Sequence, residues 1–186
     1  MWFERQTPAS GQRLAAGLRN LLERKPAKPE EVRGEESMNP TSASDTIVQE
    51  ITIKGSAERI FEALTNPDAR MKWWGAEGRF QVTHIESDLR PGGKWVMRGI
   101  GMGGKPFTVF GEYRKIERPR LLVFTWLPDW YEDATETLVQ WDLKEKDGIT
   151  TVRLTHSGLT SESSRTSHRG WPQILGWLQA YLEQQL

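Results

Sequence analysis

Hydrophobic and polar positions change their rhythm near residue 45. Before it, Leu14, Leu18, Leu21 and Leu22 recur at helical spacing among Arg13, Arg19 and Arg24, which predicts one short amphipathic helix. Residues 25–45 bring Pro26, Pro29 and Pro40, several glutamates and a serine/threonine cluster, a composition that buries little and reads as a flexible linker. Acidic residues are as common here as basic ones, unlike a transit peptide, and a true start at Met38 is a second reading of the same stretch. From Thr46 the pattern alternates. Ile47, Ile51 and Ile53 share one face of a strand, with Val48, Glu50, Thr52 and Lys54 on the other. Ser56 suits the N-cap of a helix carrying Ile60, Phe61 and Leu64 on one side, and Asn66-Pro67 ends it. A second short helix follows over 68–74 and stops at Gly75.

Strands then succeed one another without helices, near 79–89, 93–100, 106–117, 121–127, 135–145 and 149–157. Turn chemistry separates them at Pro91-Gly92-Gly93, Gly103-Gly104, Glu117-Arg118-Pro119 and Asp147-Gly148, so consecutive strands pair antiparallel. Strand 79–89 changes parity midway, which leaves its register open. A last helix aligns Trp171, Leu175, Leu178 and Leu182 on one stripe, with Ile174, Trp177 and Tyr181 beside it. The expected fold is α+β: a curved seven-stranded antiparallel sheet around a long C-terminal helix, with two short helices after the first strand. Residues 1–45 form an appendage and 46–186 the domain. A strongly twisted sheet cannot lie flat on a cylinder, so large side chains or a cavity must occupy the space between them.

Composition sharpens that choice. Nine tryptophans are present, and eight of them follow residue 72. Each indole buries a large area and wants a partner for its N–H. There is no cysteine, which excludes disulfides and thiolate chemistry and fits a reducing, cytoplasmic setting. Lysine plus arginine and aspartate plus glutamate both number 25, which argues against a nucleic-acid partner. No apolar run is long enough for a membrane span.

The segment Gly111–Trp126 resembles the central hairpin of the START-like (SRPBCC) superfamily, most closely the branch of activator of heat-shock protein 90 ATPase homologues, C-terminal-domain type. Ala63-Leu64-Thr65-Asn66-Pro67 with Trp73-Trp74-Gly75, and Leu154–Leu159 followed by Gly170-Trp171, are similar to it as well, so the likeness covers 47–186. It implies a helix-grip fold with an internal hydrophobic pocket. Relatives bind lipids, hormones or polyketides, some catalyse cyclisation, and one eukaryotic branch stimulates a chaperone ATPase. That branch carries a separate folded N-terminal domain, and the 45-residue extension here departs from it.

Candidate pocket residues are Trp74, Trp95, Met97, Phe124, Trp126, Trp141, Trp171, Leu175 and Leu178, with His156 as a polar anchor. His156 shares strand parity with Val152 and Leu154 and points inward. It could hydrogen-bond a ligand or act as acid or base; the plainer reading is a core histidine satisfied by its surroundings. His168, in a serine-rich stretch, reads as solvated, and His84 could face either way. Three scattered histidines make no metal site. The glycine-rich stretch 99–104 reads as a hairpin loop or a flap, not a phosphate loop, because no helix follows it. The expectation is a binder of a small apolar or aromatic ligand, monomer or dimer, with no cofactor. A chaperone partner in a stress response, or a cofactor-free cyclase or hydrolase, are the alternatives.

Overall fold

The computed structural model describes residues 45–76 and 78–184. The amphipathic helix and linker expected over 1–45 lie outside them, Asp45 excepted. Strand β1 (Thr46–Lys54) leads into α1 (Ala57–Thr65), where the Ser56 hydroxyl accepts the Arg59 N–H at 3.3 Å. Asn66 then ends α1 and starts α2 (Pro67–Trp73). Its side-chain oxygen accepts from the N–H groups of Asp68 and Ala69 at 2.9 and 3.1 Å, and Pro67 occupies the first turn, where a missing N–H costs nothing.

A short β2 (Gly75–Ala76) and β3 (Phe80–Ser87) come next, followed by β4 (Lys94–Ile100) and β5 (Pro106–Glu117). Strands β6 (Leu121–Pro128), β7 (Thr137–Lys146) and β8 (Ile149–Ser157) precede α3 (Glu162–Ser167) and α4 (Trp171–Glu183). All neighbours pair antiparallel in the order β1-β8-β7-β6-β5-β4-β3-β2. The sheet therefore has eight strands, not seven. The extra one is two residues long, pairing Gly75 and Ala76 with Gln81 and Phe80, too short to show any periodicity. A bulge between Val82 and His84 explains the parity change in β3, since the additional residue returns Ile85 to the buried face that Val82 occupies. Asp147 and Gly148, with φ of 53° and 74°, make the two-residue turn joining β7 to β8.

The sheet curls into a half-barrel that grips α4. Trp171, Leu175, Leu178 and Leu182 are buried against it, and the core continues through Ile60, Phe61 and Leu64 of α1. Among the described residues no helix is long and apolar enough to cross a membrane.

Candidate ligand cavity

The contact between sheet and helix is incomplete near the N-terminal end of α4. A cavity of about 390 Å³ lies there. Its buried wall comprises Trp74 at the end of α2, Met97 of β4, Trp126 of β6, His168 after α3, and Trp171 and Ile174 of α4. Phe80, Phe107 and Trp177 are half-buried higher up, and Arg79, Met102, Lys105, Trp130 and Gln173 form an exposed rim. The rings contact one another around the space. Trp74 stacks on Trp126 with centroids 6.1 Å apart, Trp126 meets Trp171 at 5.8 Å, and Phe80 sets its edge to Trp177 at 5.5 Å. Among the described residues, no carboxylate is among the lining side chains.

Behind the wall runs a directional hydrogen-bond chain. The Trp171 indole N–H donates to His156 Nδ1 at 3.0 Å, so that nitrogen carries no proton. The proton sits on Nε2 and is donated to Thr137 Oγ1 at 2.8 Å, whose own hydroxyl donates to the Trp126 carbonyl at 2.9 Å. His156 is 0 % exposed, and desolvation, with a smaller contribution from nearby His168, lowers its pKa to about 2. It is neutral at every physiological pH and has no lone pair to offer. His168 is 5 % exposed, not solvated as its serine-rich neighbourhood suggested, because the turn after α3 folds it against His156 with ring centroids 4.4 Å apart. Its Nδ1 lies 2.7 Å from the Ser164 carbonyl and donates to it; burial lowers its pKa too.

Arg70 is 3 % exposed and has no carboxylate partner among the described residues. Its guanidinium lies 4.5 Å from the Trp74 ring and 5.6 Å from that of Trp95, with one nitrogen 4.0 Å from Met97 Sδ. A second hollow, of about 410 Å³, lies between α1 and the end of α4. Its charges satisfy one another: Arg118 pairs with Glu58 and Glu62, and Arg59 donates to the Leu182 carbonyl at 2.7 Å. Among the described residues no group of three or more histidines and carboxylates is placed to hold a metal.

Residues 54–183 match the family described as Activator of Hsp90 ATPase homolog 1-like protein. The chain belongs to this family. No curated protein matches the chain in sequence. Among solved structures, a protein of Nitrosomonas europaea is similar at 18% identity and a TM-score of 0.65, covering 77% of this chain and 97% of that one. One from Chromobacterium violaceum is similar at 24% and 0.65, covering 73% and 96%. DynU16, a protein in the dynemicin biosynthetic locus, is similar at 21% and 0.59, covering 75% of this chain and 47% of its own. These likenesses speak for the fold alone.

Within this member of the Activator of Hsp90 ATPase homolog 1-like family, the residues singled out from sequence separate into two groups. Trp74, Met97, Trp126 and Trp171 line the cavity. Trp95, Phe124, Trp141, His156, Leu175 and Leu178 are buried in the core and do not line it. His84 is exposed and bonds Glu86 at 2.6 Å. The lining residues that sequence reasoning missed include the aromatic and apolar Phe80, Phe107, Trp130, Ile174 and Trp177, and His168. Ile174 and Trp177 each precede a residue of the core-facing stripe. A signal for them existed in that flanking row of apolar side chains.

Proposed function

We propose that this family member binds a small apolar, largely aromatic ligand in the cavity between the sheet and α4, without a cofactor. One observation carries this reading: a space of about 390 Å³, open at an exposed rim, is walled by bulky rings supplied by several different elements. That size is within the range of sites for drug-sized molecules, and an apolar lining with a few polar groups is their usual composition. Catalysis through His156 finds no support, since both its ring nitrogens are engaged inside the core. A chaperone-directed role rests on the family description alone. Native mass spectrometry of the full chain, incubated with a panel of apolar ring compounds, tests the proposal. Retention of one molecule per chain by some of them is expected. Failure of every compound to be retained, with the protein folded, would contradict it.

A further inference from the structure

The cavity is apolar within and cationic at its mouth. Arg79 and Lys105 border it and are exposed, and among the described residues no carboxylate lines it. Sheet pairing brings the two cations to one place. Gln81 of β3 pairs with Ile100 of β4, and Ile100 pairs with Pro106 of β5, so Arg79 and Lys105 stand at the same end of three adjacent strands. Each is close in sequence to a ring of the mouth. Phe80 follows Arg79, Phe107 lies two residues after Lys105, and these rings meet edge to face with centroids 5.8 Å apart. Neither cation has a carboxylate partner among the described residues, whereas Arg90, Arg98 and Arg114, on or beside the same strands, pair with Asp88, Glu86 and Glu112. Asp129, just before the lining Trp130, accepts the Thr108 N–H at 2.8 Å. Glu77 lies outside the described residues.

We propose that the ligand is an anionic amphiphile, with an apolar ring body inside the cavity and a carboxylate left at the mouth beside Arg79 and Lys105. A carboxylate held there keeps part of its hydration and avoids the cost of burying a charge. The long stems of arginine and lysine lie along apolar surface while their charged ends stay in water, which suits them to meet a group emerging from a ring-walled space. A cleft whose mouth carries one sign of charge also raises the local concentration of the opposite ion. That preference is local, because the chain as a whole has 25 basic and 25 acidic residues. Arg70 offers no competing seat, since it is buried against Trp74 and Trp95 and does not line the cavity. The proposal rests on the ligand-binding reading above and adds the charge and position of the ligand's polar end.

Equilibrium dialysis of the full chain against three probes of similar shape tests it: naphthylacetate, an anion; naphthylacetamide, its neutral amide; and naphthylethylammonium, a cation. At low salt naphthylacetate should bind tightest, about fivefold over the amide, with the cation weakest. Raising the salt from about 0.01 to about 1 M shortens the Debye length from about 30 to about 3 Å and should bring the acetate-to-amide ratio toward one. In the double variant Arg79→Met, Lys105→Met that ratio should be close to one already at low salt. Should the variant fail to fold, the probe order and its salt dependence on the unaltered protein still decide. Amide binding as tightly as acetate, or the cation binding tightest, would overturn the anionic assignment while leaving the apolar pocket standing. An acetate preference that persists in the folded double variant would overturn the placing of the carboxylate at this mouth. If none of the three bound, the pocket reading and this inference would fall together.

Discussion

The Trp171 N–H reaches His156 Nδ1, and that hydrogen bond sets the protonation of the whole buried chain through Thr137 to the Trp126 carbonyl. Replacing His156 by leucine strands the Trp171 donor and should cost about 1–3 kcal/mol at neutral pH. A pH effect accompanies it. The folded pKa of about 2 lies below the ordinary 6.5, so below pH 6.5 the unfolded chain takes up a proton that the folded one refuses. Stability is therefore full above that value and falls beneath it, by about 1.4 kcal/mol per pH unit from this histidine. Denaturant melts at pH 7.5, 6 and 5 should show a shallower acid loss in His156→Leu than in the parent. Parallel losses in the two proteins would contradict the assignment. Arg70 makes the opposite prediction. Desolvating its charge costs several kcal/mol, against about 2 kcal/mol from its ring contacts, so Arg70→Met should hold or raise the melting temperature. A clear drop in that temperature would mean that the charge has a role the packing does not reveal.

At the scale of elements, glycine placement shapes the packing behind the cavity wall. Gly111 of β5 pairs with Trp95 of β4, and a Cβ at that position would lie 2.0 Å from the Thr125 carbonyl oxygen and 2.4 Å from the Trp95 indole. The absent side chain lets Trp95 lie across β5 and meet Phe124 and Trp126 at 5.3 and 5.6 Å. Gly111→Ala should therefore destabilise by about 1–3 kcal/mol or more, read from urea unfolding, because neither backbone nor indole can give way cheaply. A neutral substitution would show that β5 shifts more freely than its pairing suggests. The loop at 101–105 is a closed hairpin, with the Gly101 N–H donating to the Lys105 carbonyl at 2.7 Å and Gly103 and Gly104 at φ of 71° and 75°. Its Met102, 69 % exposed, belongs to the cavity rim.

Across the whole molecule, the fold was legible because its cues are local. Ser56, Asn66-Pro67 and Asp147-Gly148 each do in the structure what their side chains and torsions favour. The cavity was less legible, because lining it depends on curvature and on a rotation of about 100° per helical residue. Leu175 and Leu178 seal the seam with the sheet, while Ile174 and Trp177, one position earlier, turn toward the space. Trp95 and Met97 share a face of β4, yet only Met97 borders the cavity, since the curled sheet carries Trp95 over Gly111. His168 was misread for a related reason: its neighbours are polar, and only the turn after α3 brings it inside. The proposed function requires this space to be open and to receive an apolar molecule. Titration with a hydrophobic fluorescent dye, read through quenching of tryptophan emission, tests it most directly when native protein is compared with Ile174→Trp. The native chain should take up one dye with saturable quenching, and the filled variant, folded by its thermal melt, should take up little. Equal dye binding by both proteins would place the dye elsewhere and contradict binding in this cavity.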